Sequence, residues 1–387
     1  MPENPMSDPT TDGQHVQRLS EASRLVIKVG SSLLIDPATG QLNRPWLESL
    51  AAEIGRLIAR GQQVMIVSSG AIALGRAYLN FRKEQSRLQQ QQAAAAAGQI
   101  LLAHAYQELL GQRGVKAAQV LLTLGDTEDR RRYLNARNTL ETLLECKVVP
   151  VINENDTVAT DEIRYGDNDR LAARVASMCS ADCLVLLSDV DGLYDQDPAT
   201  ATDATLIPVV REVTADIESR AGKSRTAFGS GGMVTKLAAA KICMPAGCAT
   251  VIANGHRDLP LTAIENGGLC TWFLPATTPR AARKRWIAGT LEPRGAVLID
   301  PGAEQSLLGG RSLLPVGIVG VEGQFERGDA VIVRNHEGHD LARGLVAYAS
   351  EDVRQIMGRR SEETEQILGY RDRDEVIHRD NLVLIRH

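Results

Sequence analysis

The run from Cys183 to Leu187 is apolar at five successive positions, ending at Ser188. A β-strand sends alternate side chains to opposite faces, so a strand that is apolar throughout must be covered on both. Helices packed on either side of a mainly parallel sheet supply that cover. The rest of the first 275 residues has the matching rhythm. Short runs suited to strands, Arg24 to Gly30, Gln63 to Ser68, Ala117 to Leu122, Val148 to Asn153 and Ala249 to Ala253, alternate with longer helical stretches. Those stretches are Arg44 to Arg60, Gln85 to Leu110, Arg131 to Glu145, Asp169 to Met178 and Met233 to Pro245. The Gln/Ala tract from Gln89 to Ala97 is low in complexity, but its residues are strong helix formers and it reads as helix. The expected class is α/β, a mainly parallel sheet sandwiched by helices.

Near Leu274 the texture changes. A Pro-, Thr- and Arg-rich joint, PATTPRAARKRW, is followed by short apolar runs broken by glycine, which read as a small C-terminal all-β barrel. A chain of 387 residues, 43% hydrophobic and 24% charged, has room for one large domain and one small one. A net charge of -5 gives no electrostatic reason for the whole chain to bind nucleic acid or a membrane surface. The first twenty residues are polar and lack the apolar core of a signal peptide, and no apolar run reaches membrane-spanning length. The six cysteines show no CxxC pair and no histidine at zinc-finger spacing, which fits reduced thiols in a cytoplasmic protein.

Three turns carry glycine, serine and lysine where backbone N–H groups can face an anion. Lys28 precedes Gly30, Ser31 and Ser32. Ser68, Ser69, Gly70 and Ala71 stand at a helix start. The run from Gly229 to Lys236, GSGGMVTK, places its lysine about one turn into the following helix. One such turn alone is an ordinary helix cap; three together define a convergent anion site. Acids and amides supply a second set: Asn153, Glu154, Asn155 and Asp156 after a strand, and Asp167, Asn168 and Asp169 at a helix start. Separately these are turn and capping residues. Together they suit an ammonium group and the orientation of lysines. Ser188, Asp189 and Asp191 follow another strand and are candidates for nucleotide or Mg2+ contact, or simply a solvated loop.

In combination, VIKVGSS, VSSGAIALG, PVINENDTVAT, YGDNDRLAA, LLSDVDGLYDQDP and GSGGMVTKLAAAKI resemble the amino acid kinase family over residues 24–275. The stretch with GRSLLPVGIVGVEGQFERGDAV resembles a PUA module. The domain plan implied is a flexible tail over 1–22, a kinase domain over 23–275, a PUA-like domain over 284–358 and a C-terminal tail over 359–387. The resemblance implies ATP-dependent phosphorylation of the side-chain carboxylate of L-glutamate to L-glutamyl 5-phosphate, the first step of proline biosynthesis. It also implies proline as feedback inhibitor and a homodimer or homotetramer.

By the same resemblance Lys28, Lys236 and Asp169 are catalytic, the lysines flanking the β- and γ-phosphates and Asp169 holding them. Ser69, Gly70, Asp156 and Asn168 bind glutamate, Asp156 at its α-amino group. Lys28, Ser188, Asp189, Ser230, Gly231, Gly232, Met233, Val234, Thr235 and Lys236 line the ATP site. Mg2+ bridges the phosphates, with no residue assigned as its ligand. Ser188 departs from the threonine of many relatives but keeps the hydroxyl. The chemistry agrees with this inventory. A glutamate side chain ionises near pH 4.3 and needs no general base at neutral pH. The obstacle is one anion approaching another, which cations and helix N-termini relieve.

Three look-alikes carry nothing. AGKSR at Ala221 to Arg225 has Ile217 where a phosphate-binding loop needs its first glycine. HRD at His378 to Asp380 lacks the rest of the protein-kinase signature. His336 and His339 fall in an expected turn of the small domain and read as surface residues. The rival readings are another amino-acid or acylamino-acid carboxylate kinase, and an RNA-binding protein acting through the PUA-like domain. Residues 281–387 hold 15 Lys/Arg against 17 Asp/Glu and so lack a basic footprint for RNA.

Overall fold

The computed structural model describes residues 19–81, 87–158, 167–198, 200–223, 232–289, 292–371 and 373–385. Ser230, Gly231 and the tail before Leu19 lie outside them, as does Gln85, where the second helix was expected to start. The chain divides into two units, Met1–Pro279 and Arg280–His387, each with its own core.

In the first unit the expected strands form as β1 (Arg24–Val29), β2 (Gln63–Ser68), β3 (Lys116–Leu122), β4 (Val148–Glu154), β5 (Cys183–Ser188) and β7 (Ala249–Asn254). Two short strands without a clear pattern join them, β6 (Val209–Val210) and β8 (Cys270–Phe273). The order across the sheet is β3-β4-β2-β1-β5-β7-β8-β6. All neighbours are parallel except β7 and β8. The mainly parallel sheet read from the sequence is therefore present. The C-terminal ends of β4, β2, β1 and β5 lie side by side, where ligands of open α/β sheets bind.

Six helices matter for the site: α1 (Arg44–Ala59), α2 (Ala71–Tyr78), α3 (Leu88–Gly111), α4 (Arg130–Glu145), α5 (Asp167–Met178) and α6 (Met233–Cys243). The side chain of Asn43 caps α1 by accepting from the Trp46 N–H, and Leu47, Leu50, Ala51, Ile54 and Leu57 form its buried stripe. Strand alternation divides the core in two. Leu25, Ile27 and Val29 of β1, with Val64 and Ile66 of β2, face α1 and α3. Val26, Met65 and Val67 face the layer containing α4, α5 and α6. The same alternation aims the functional side chains. Lys28 follows Val26 toward α5, whereas Ser68 follows Ile66, and Asn153 follows Val149 and Val151, toward α3.

Helices α2 and α3 meet backbone to backbone. A Cβ on Gly98 would lie 1.8 Å from the carbonyl oxygen of Ala71, and one on Gly75 would lie 1.7 Å from that of Ala94. Only glycine permits this approach, which brings the first residue of α2 down onto α3 one position from Gln99. Among the described residues no helix is long and apolar enough to cross a membrane.

The second unit has a sheet ordered β10-β9-β11-β12-β13: β9 (Gly295–Ile299), β10 (Ile318–Gly323), β11 (Ala330–Arg334), β12 (Asp340–Leu345) and β13 (Leu382–Leu384). Its pairs are antiparallel except β9 with β11. The unit is not wholly β, because helices Pro301–Leu308, Ser350–Ile356 and Thr364–Leu368 fill its connections. The first is specified locally by Asp300, whose carboxylate accepts from the Ala303 N–H at 2.7 Å, and by Pro301 in its first turn. Val376, Ile377 and Leu382, beyond Gly358, are part of this core.

Gly98→Ala is expected to cost at least about 1–3 kcal/mol of stability, the scale for overpacking a close contact. Urea unfolding checks it; a loss below about 0.5 kcal/mol would show that the two helices separate cheaply.

Candidate active site

The centre of the site is one carboxylate. Asp169, in the first turn of α5, is fully buried, with Oδ1 2.7 Å from Lys28 Nζ and Oδ2 3.6 Å from Lys236 Nζ. The two lysines are 7% and 4% exposed. Lys28 comes from the end of β1 and Lys236 from the first turn of α6, so the fold joins two ends of the domain's sequence on one group. Thr235 Oγ1 donates to Asp169 Oδ2 at 2.7 Å. Burial pushes the Asp169 carboxyl up, but the two ammonium groups and the Lys28 and Thr235 hydrogen bonds outweigh it and hold it below the usual carboxylate range. Burial lowers Lys236; Asp169 opposes that shift and Lys28 adds to it, leaving Lys236 below the ordinary lysine range. Two buried ammonium groups share one buried carboxylate, so positive charge is in excess among the three. That excess suits a polyphosphate.

Ser188 and Asp189 stand at the end of β5, beside Lys28 across the β1–β5 pairing, and Ser188 Oγ donates to Asp189 Oδ1 at 2.9 Å. The charge of Asp189 acts on Lys236. Gly232 is the N-cap of α6 and Met233 packs half-buried against the second core. Val234 is 56% exposed and lines a separate groove with Arg170 and Lys241.

Next to the charged triad lies a chain of amides. Asn168, one residue before Asp169, donates from Nδ2 to Ser69 Oγ at 2.9 Å and to Asn153 Oδ1 at 3.1 Å. Asn153 Nδ2 donates to Gln99 Oε1 at 2.8 Å. Ser69 is tied to the first turn as well, its N–H donating to Val29 O at 3.0 Å. Gly70 takes φ +105°, a left-handed conformation that starts α2 without strain only for glycine. Ser68 Oγ meets the Tyr106 hydroxyl at 3.0 Å. Asp156 lies outside this chain, half-buried on the wall of a cavity of about 220 Å³ that Gln99, Gln119, Ile100 and Glu154 also line. Burial raises its carboxyl to about 6.

The structure thus brings together Lys28, Asp169, Thr235 and Lys236, and beside them Ser69 with Asn168. Gln99 and Tyr106 are additions. Their signal was present in α3, where a glutamine and a tyrosine recur at core spacing with Ala95 and Leu102 on the buried stripe.

A β-strand lysine, a helix-borne aspartate and a second lysine on another helix, set at one edge of a mainly parallel sheet, are a phosphate-directed arrangement. Residues 23–254 match the model of the amino acid kinase family, and residues 295–368 that of the PUA domain. The chain belongs to the amino acid kinase family. Within it, the chain is 60% identical over 366 residues to a protein of Paramagnetospirillum magneticum named glutamate 5-kinase, covering 95% of this chain and 99% of that one. Relatives with the same name are 56% identical in Bradyrhizobium sp. and 57% in Rhodopseudomonas palustris, each over 95% of this chain and 97% and 98% of theirs. Among solved structures, the carbamate kinase of Giardia lamblia is similar with a TM-score of 0.48 at 16% identity, over 66% of this chain and 99% of that one.

Asp169→Asn is expected to cost about 3–5 kcal/mol of stability, because it leaves two buried ammonium groups facing each other without their counter-charge. Urea unfolding near neutral pH measures it; a change under about 1 kcal/mol would mean that water already screens the lysines.

Proposed function

We propose that this chain phosphorylates the side-chain carboxylate of L-glutamate with ATP, giving L-glutamyl 5-phosphate and ADP for proline synthesis. The observation that carries the reading is the pair of lysines held on Asp169; the name shared by its relatives supplies the acceptor. The glutamate carboxylate, already ionised, attacks the γ-phosphorus. A carboxylate O–P bond forms, the bond to the β–γ bridging oxygen breaks, and the charge passes to ADP. Lys28 and Lys236 offset that charge without a proton transfer. Magnesium would arrive with the nucleotide and offset its phosphate charge, and Asp189 would be the carboxylate to hold it. Gly232 and Thr235, with Ser230 and Gly231, are assigned to the phosphate loop.

Asp156 faces the substrate α-ammonium in this reading, and Asn168 and Ser69 orient the acceptor. Proline shares the α-amino-acid end and competes there. The kinase domain is proposed at 23–275; the PUA-like module, expected over 284–358, has its last strand at Leu382–Leu384. The outward Ile100 and Leu101 of α3, 71% and 39% exposed, offer a surface for a homodimer or homotetramer. Five of the six free cysteines are buried, in keeping with a cytoplasmic enzyme.

The test is ADP release with L-glutamate and Mg-ATP, with hydroxylamine to trap the acyl phosphate; no glutamate-dependent ADP release would refute the reading. In that assay Lys28→Ala and Lys236→Ala are each expected to lower turnover about 100- to 1,000-fold, the scale for one preorganised donor. Turnover close to wild type in both would remove their role.

Asp156 must be ionised to hold an ammonium, and burial raises it to about 6. The kcat/KM for glutamate is therefore expected to fall about tenfold per pH unit below that value while the KM for ATP holds. Asp156→Asn should abolish this limb and raise the KM for glutamate by about 10- to 100-fold. Equal effects on both substrates would place Asp156 elsewhere in the mechanism.

A further inference from the structure

The acceptor half of the site holds a buried side chain that the reaction as derived does not use. Gln99 projects from the face of α3 that packs on the sheet and is 8% exposed. Its Oε1 accepts from Asn153 Nδ2 at 2.8 Å, while its Nε2 is buried without a hydrogen-bond partner among the described residues. A glutamine kept for stability alone would satisfy both ends or give way to an apolar residue, since a half-satisfied buried amide is unfavourable. What Oε1 does is specific. Asn153 Oδ1 is already committed, accepting from the Glu154 N–H at 2.9 Å and from Asn168 Nδ2 at 3.1 Å. Turning the Asn153 amide over would set donor against donor at both places. Its Nδ2 must therefore face α3, and only an acceptor there can hold it.

Asn168 is then fixed in turn. Its Nδ2 is spent on Asn153, Ser69 and the Ser68 carbonyl, and its Oδ1 is buried with no partner among the described residues, an acceptor beside the groups assigned to the substrate. Gln99 also lines the cavity whose wall carries Asp156. The glycine contact at Gly98 sets its height, because that contact locks this turn of α3 against the start of α2.

We infer that Gln99 is a positioning residue for the acceptor substrate: by holding Asn153 Nδ2 it keeps Asn153 where its Oδ1 meets Asn168, and so steadies the oxygen that Asn168 presents to the amino-acid end. The inference rests on the glutamate-kinase reading above. Without the Gln99 oxygen, Asn153 Nδ2 becomes a buried unpaired donor, the asparagine swings to find a partner, and Asn168 loses one of the three acceptors that hold it. The lysines and Asp169 are untouched, so nucleotide binding is spared.

Two variants test this by ADP release at saturating co-substrate, with thermal unfolding alongside. Gln99→Met removes the acceptor at nearly constant shape, and is expected to raise the KM for glutamate about tenfold, leave the KM for ATP within about twofold, and lower the melting temperature by only about 2–4 °C. Gln99→Glu keeps an oxygen opposite Asn153 and is expected to stay within about threefold of wild type for glutamate. The assignment is overturned if Gln99→Met leaves the KM for glutamate unmoved, shifts both KM values alike, or if the two variants are equally impaired. Should wild type itself release no ADP with glutamate, the reading of the reaction fails and takes this assignment with it. A working wild type beside an indifferent Gln99→Met overturns the assignment alone.

Discussion

The contact on which the site depends is the buried Asp169 carboxylate between two ammonium groups. Burying one charge costs several kcal/mol unless it is paired, and here three charges are buried with an imbalance of one. No arrangement of this kind survives for packing alone. It holds because β1 delivers Lys28 at the sheet edge, α6 delivers Lys236 in its first turn, and α5 begins where both can reach. Thr235 adds a hydroxyl to the same oxygen, so the carboxylate stays ionised and the lysines stay aimed.

Consecutive residues of α5 divide the work. Asp169 turns to the lysines, and Asn168, about 100° away around the helix, turns to Ser69 and Asn153. One helix start therefore fixes the spacing between the phosphate-directed and acceptor-directed groups. Gly98 and Gly75 perform the corresponding service for α2, whose first residue could not reach its place past a Cβ. Small residues decide the distances here, while charged and amide groups decide the chemistry.

Much of this was legible in the sequence. Strands apolar at every position announced a sheet covered on both sides, and β1, β2, β4 and β5 begin or end within a residue or so of their apolar runs. Lys28, Lys236 and Asp169 were visible as a set through their turns, though no spacing rule joins them. The rest was hidden for physical reasons. β6 has two residues and β8 four, too few to show a period. The short helices of the second unit are specified by a cap such as Asp300 rather than by a stripe. Gln99 follows directly on a Gln/Ala tract and Gly98, whose composition draws attention away from the one glutamine buried there. Its partner on β4 becomes apparent only once alternation has sent Asn153 to the same side.

Alternation has one more result. Lys28 leaves the sheet on the α5 and α6 side, whereas Ser68 and Asn153 leave it on the α3 side. In the proposed reaction the α3 flank serves the nucleophile alone, while α5 serves both partners through Asp169 and Asn168. A change on the α3 flank can alter which acid is accepted without retuning how phosphate is handled, so a scaffold of this form can acquire new acceptors one flank at a time.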